Sequence, residues 1–115
     1  MSASHTPAED TIFHPLRSEL EVLEVLRALA DPTRLEIVRI LDNAPTGEVA
    51  CGAFGLDASK QNLSHHFRVL REAGIIRSRD EGRNRYSSLR CADLEARFPG
   101  LLGGVLGKKP ATSGS

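Results

Sequence analysis

The stretch SKQNLSHHFRVLREAG, residues 59–74, constrains this chain more than any other, because both ends of a helix are written into it and the pattern changes immediately afterwards. Ser59 supplies a hydroxyl that can cap the free amides of a first turn, and Gly74 suits the left-handed position that closes a helix. Between them Leu63, Phe67 and Leu70 recur at helical spacing and form one apolar stripe, flanked by His66 and Ala73. Lys60, Gln61, Ser64, His65, Arg68 and Arg71 lie toward the other side. Past Gly74 the period drops to two. IIRSRDEGRNRYSSL reads as a strand over 75–79, a polar tip at Asp80, Glu81 and Gly82, and a second strand over 85–89. A helix with a polar, basic side therefore runs straight into an arginine-rich hairpin.

Upstream, Leu16, Leu20, Leu23 and Leu26, widened by Val22, Val25 and Leu29, predict a helix over 16–30 with a broad apolar face. A face that wide has to be covered by other helices or by a second subunit. In DPTRLEIVRILD, Asp31 is positioned to cap and Pro32 to occupy the first helical position, where a missing N–H costs nothing. Leu35, Ile37, Val38 and Leu41 give this second helix its buried side, and DNAPTG ends it. Residues 48–54 have room for a short helix, weakened by Gly52. A last helix is expected from about Ala92, disturbed at Pro99-Gly100 and resuming through Leu101, Leu102, Val105 and Leu106.

The two ends, MSASHTPAED and GKKPATSGS, lack any apolar period and are expected to be mobile, leaving 15–106 as one domain between tails at 1–14 and 107–115. With 115 residues, 4% aromatics and no Trp, a mostly α chain with a small β-hairpin wing is the expected class. Formal charge is zero overall but unevenly spread. Residues 1–58 carry four bases against ten acids, a net of −6, whereas 59–90 carry eight against three, a net of +5. A neutral chain organised this way can still show phosphates a positive face.

That order of elements is the order of a winged helix-turn-helix. LRALADPTRLEIVRIL, followed by SKQNLSHHFRVLREAGIIRSRDEGRNRYSSL, resembles the ArsR/SmtB family of bacterial transcriptional repressors, over residues 20–98. The resemblance implies a homodimer joined through its first and last helices, here through Leu16, Leu20, Leu23, Leu94, Phe98, Leu101 and Leu102. It also implies that the helix after Ser59 enters the major groove of double-stranded DNA at a pseudo-palindromic operator, repressing transcription until an effector, unknown here, lowers affinity. Independently, the outer side of that helix offers side chains that donate to and accept from bases and phosphates. Gln61, Asn62 and His65 are the expected base contacts; Ser59, Lys60, Ser64 and Arg68, with Arg79, Arg83 and Arg85 of the hairpin, are expected on the DNA backbone or minor groove.

Adjacent histidines on a helix point about 100° apart, so His65 and His66 are a poor pair for one ion. His65 is expected on the outer face and His66 at the edge of the core. The family's thiolate site resembles ELCVCDL, but here TGEVACGAFGL has one cysteine, Cys51; supplementation by His5 or His14 from the N-terminus of a partner copy would be needed to make a metal site. The family's other site uses Asp and His in the last helices, where this chain has Asp93 and Glu95 without His. No metal and no cofactor are expected. Cys51 and/or Cys91 leave a redox- or metal-responsive repressor as the alternative. No nucleophile motif points to an enzyme, and the polar outer helix face argues against a winged-helix interaction module without DNA binding. With no signal peptide and no long apolar run, the chain is expected in the cytoplasm, away from membranes.

Overall fold

The computed structural model describes residues 12–56 and 59–108, the side chain of Lys60 excepted. A 3-10 turn at Arg17–Glu19 leads into α1 (Val22–Leu29), α2 (Pro32–Asp42), β1 (Glu48–Ala50), a second 3-10 turn at Cys51–Ala53, α3 (Lys60–Glu72), β2 (Ile76–Glu81), β3 (Asn84–Leu89), α4 (Cys91–Arg97) and α5 (Leu101–Val105). Expectations about residues 1–11 and 109–115, including His5, fall outside the described residues.

The caps form as the residue types dictate. Asp31 Oδ2 accepts from the Arg34 amide at 3.0 Å, and Ser59 Oγ accepts from the Asn62 amide at 3.1 Å. At the far end of α3 the Gly74 amide donates to the Arg71 carbonyl and the Ile75 amide to the Leu70 carbonyl, each at 3.0 Å, the paired bonds of a Schellman closure. Gly74 sits at φ 85°, and a Cβ there would come within 2.0 Å of Leu20 Cδ2. Glycine is thus required both by the backbone angle and by the leucine packed on it.

That contact explains the first correction. The expected continuous helix over 16–30 is broken: after the Arg17–Glu19 turn, Leu20 and Glu21 are extended, and α1 starts only at Val22. The break lets Leu20 drop into the core beside Gly74, and the carbonyls it frees are taken up by Arg97, whose guanidinium donates to Ser18 O at 2.8 Å and Leu20 O at 2.6 Å. Arg90, buried, donates to Pro15 O at 2.8 Å and to Asp93 at 2.8 Å, so the segment before α1 is laced onto α4.

The second correction concerns 48–54, where a strand and a 3-10 turn replace the expected short helix. β1 pairs antiparallel with β3, Glu48 opposite Ser88, Val49 opposite Ser87 and Ala50 opposite Tyr86, giving a three-stranded sheet in the order β1-β3-β2. Gly52 makes a helix costly here, while β3 offers an open edge of amides and carbonyls. The hairpin is also tighter than expected: Asp80 and Glu81 belong to β2, leaving Gly82 and Arg83 as the turn. Leu20, Val25, Ile37, Val38, Leu70, Ile75, Ile76 and Leu94 fill the core between helices and sheet, against which the inner stripe of α3 rests.

Candidate nucleic-acid interface

α3 is held by its apolar stripe. Phe67 and Leu70 are buried, and the Phe67 ring meets Phe54 edge-on with centroids 5.1 Å apart. Gln61, Asn62, Ser64, His65 and Arg68 are all exposed on the opposite side. Among the described residues none of their side chains makes a hydrogen bond or ion pair, so the face is open to an external partner. His66 turns inward as expected: Arg34 donates from Nη1 to its Nδ1 at 3.1 Å, and Arg34 Nε donates to Ala28 O at 2.6 Å. Nδ1 thus accepts a hydrogen bond within the chain.

The wing differs. Arg79 grips Glu48 of β1 with two parallel bonds of 2.8 and 2.9 Å, reaches Glu81 with its remaining nitrogen, and lies 4.8 Å over the Tyr86 ring. Arg85 makes a bidentate pair with Asp80 at 2.7 and 3.1 Å. The hydrogen bond from Arg79 holds the Glu48 carboxyl below its ordinary value, as that from Arg85 does for Asp80. Arg83, exposed in the turn, has no such partner among the described residues. The sequence reading missed these counter-charges: Glu48 lies 31 residues from Arg79 in a segment expected to be helical.

The residues expected at a dimer interface also divide. Leu16 and Leu23 are exposed, at 65% and 54%, and stand with Phe13, Val22 and Leu26 as large apolar side chains open to solvent. Leu20 and Leu94, at 1% and 2% exposure, are corrections: both are consumed by the chain's own core and offer nothing to a second copy. Phe98, Leu101 and Leu102 are half-buried, packed against that core.

Known proteins with this arrangement regulate transcription. A family model described as a helix-turn-helix domain matches residues 29–79. The HTH-type transcriptional regulator YceK of Bacillus subtilis (strain 168), itself uncharacterized, is 37% identical over 81 residues, covering 69% of this chain and 80% of the relative. The transcriptional repressor SdpR of the same organism is 33% identical over 73 residues, covering 62% and 78%. The crystal structure of a possible transcriptional regulator for arsenical resistance superposes with a TM-score of 0.55 at 36% identity, covering 65% of this chain and 80% of that one. This chain belongs to the ArsR/SmtB family. It is a winged helix-turn-helix transcriptional regulator, and its chemistry is recognition, not catalysis.

In this ArsR/SmtB regulator Cys51 opens the turn after β1, half-buried, with Sγ 3.8 Å from Ser87 Oγ of β3. Cys91 is exposed at the start of α4. Burial pushes the Cys51 thiol up from its ordinary value, and partial desolvation of its sulfur with the nearby Asp42 charge does the same for Cys91, opposite to the shift that makes a reactive thiolate. His14, the other residue considered beside Cys51, instead accepts from the Ser78 amide at 3.0 Å on the edge of β2. Among the described residues no group of three or more His, Cys, Asp or Glu is placed to hold a metal ion. Nor is any described helix long and apolar enough to cross a membrane.

Proposed function

We propose that this regulator is a cytoplasmic homodimeric repressor that sets α3 of each copy in the major groove of a pseudo-palindromic operator, without using the family's metal sites. The observation that carries this reading is the outer face of α3: five exposed polar side chains, none spent within the chain among the described residues, on a helix anchored by Phe67 and Leu70. Gln61, Asn62 and His65, in the first two turns of the helix, take the base edges, and Ser59, Lys60, Ser64 and Arg68 take phosphates. Of the wing arginines, Arg83 takes flanking backbone, and Arg79 and Arg85 act chiefly within the wing.

The dimer reading draws on the large apolar side chains exposed on the N-terminal segment and α1, Leu16 and Leu23 together with Phe13, Val22 and Leu26. Phe98, Leu101 and Leu102 complete it from the last helices, and 15–106 is the unit that both binds and dimerises. A two-fold pair would place its α3 helices about one DNA turn, ~34 Å, apart.

Footprinting on the DNA upstream of its own gene, with sedimentation of the free protein, tests the reading. The expected result is two protected half-sites a turn apart and a dimer in solution. A log K against log salt plot with no slope would sink it, since phosphate contacts release counterions. Elemental analysis of the purified protein should find no stoichiometric zinc.

A further inference from the structure

Between α3, the Cys51–Ala53 turn and β3 lies a cavity of about 570 Å³, lined by Cys51, Gly52, Leu63, Phe67, Arg71 and Arg85 and bordered by Ser64 and Arg68. Its volume is within the range of about 300–1,000 Å³ common for small-molecule sites. Arg71 stands out. Its Nε is the one buried side-chain nitrogen or oxygen without a hydrogen-bond partner among the described residues, and its guanidinium makes no ion pair among them. A buried donor on a charged group left without a partner is unfavourable, and the guanidinium that carries it lines the cavity. We propose that this cavity binds a small organic carboxylic acid, its carboxylate on the Arg71 guanidinium and its apolar body against Leu63 and Phe67.

The surroundings select that class. Arg85 already has Asp80 as its counter-ion, which leaves Arg71 as the buried unpaired guanidinium of the cavity, with Arg68 exposed at its border. The edge of a guanidinium presents two parallel N–H groups, which match a planar carboxylate. Burial, then the like charges of Arg85 and Arg68, pull Arg71 below its ordinary value against the opposing effects of Glu72 and Cys51, and a bound anion relieves that repulsion. Cys51, whose thiol burial keeps protonated, presents sulfur without charge. A free phosphate, strongly hydrated and without an apolar body, leaves the Leu63 and Phe67 walls of the cavity unfilled.

Because Ser64 and Arg68 border the cavity from α3, an acid held there neutralises charge beside the DNA face and lowers DNA affinity. That consequence rests on the DNA-binding reading above; binding of the acid does not.

Titration calorimetry and NMR on the full chain, using benzoate, 2-naphthoate and octanoate, test the site. At least one acid should saturate one site per chain and shift the Arg71 Nε–H resonance with the Gly52 and Leu63 amides. The neutral isostere 2-naphthylmethanol should bind about tenfold or more weaker than 2-naphthoate, and Arg71→Met should cost the acid about tenfold while leaving the alcohol unchanged. Gly52→Leu, at a position where an added Cβ meets nothing within 4 Å, should block both, and decides the matter if Arg71→Met does not fold. No saturable binding of any acid, equal binding of acid and alcohol, competition by inorganic phosphate, or indifference to both substitutions overturns the site. An operator affinity unmoved by saturating acid overturns the coupling alone, and absence of any DNA affinity overturns the DNA reading while the site stands.

Discussion

Helix α3 and the wing carry similar numbers of polar and basic residues, yet they present them differently. On α3, Gln61, Ser64, His65 and Arg68 are exposed and unspent among the described residues, whereas in the wing Arg79 is bound to Glu48 and Glu81, and Arg85 to Asp80. A formal count of eight bases against three acids over 59–90 therefore overstates the charge a phosphate would meet, because Glu48, outside that block, neutralises part of it. Charge read along a chain is a property of composition; charge available to a ligand is set by which partners the fold brings within hydrogen-bond reach.

Substitutions on α3 should have the largest effect on DNA. Gln61→Ala should cost about 1–3 kcal/mol on the operator and little on random DNA, while Arg68→Ala should weaken both alike and flatten the salt dependence by about one unit of slope. Equal losses on both DNAs for Gln61→Ala would contradict its assignment to a base. Next comes the helix start: Ser59→Ala removes the bond to the Asn62 amide and should lower stability by about 1 kcal/mol, read as a shift in urea midpoint at unchanged slope. Smaller again is the contrast inside the wing. Arg83→Ala should lower the log K against log salt slope by roughly 0.9, the share of one phosphate, and Arg79→Ala by much less. A larger loss for Arg79→Ala would mean that DNA displaces Glu48 from it.

What the sequence made legible is what local chemistry decides. Asp31-Pro32, Ser59 and Gly74 fix the ends of α2 and α3 with bonds spanning three to five residues, and the outer face of α3 follows from its period. What escaped is non-local. β1 exists because Glu48, Val49 and Ala50 find partners in β3, and three residues containing no strong strand signal could not announce it. Leu16 and Leu20 share one apolar stripe in the sequence, but only Leu20 meets Gly74, so one is exposed and the other buried. Arg71 reads as one more base on the polar arc, and only the fold shows that its Nε is buried and that it shares a cavity with Cys51, Gly52 and Arg85.

The smallest expected effect concerns acid titration of the wing. Glu48 and Asp80 have ordinary carboxyl values of 4.5 and 3.8, and the hydrogen bonds from Arg79 and Arg85 hold both lower in the folded chain. A carboxyl depressed on folding contributes stability that is present above its ordinary value and lost as pH falls through the depressed one. The double variant Glu48→Gln, Asp80→Asn should therefore be slightly less stable than the parent at neutral pH, the gap staying constant down to the ordinary carboxyl range and closing below it. Urea midpoints of the two proteins measured side by side across that range read the gap directly, and all titrations they share cancel. Both pairs are exposed and screened, so the gap should shrink with added salt as well. If it persists in strong acid, the loss comes from packing of the substituted side chains, and the wing arginines are not held by charge. If the variant instead binds DNA with a steeper salt slope at neutral pH, Arg79 and Arg85 have been released to phosphate, and the difference between wing and recognition helix is one of pairing alone.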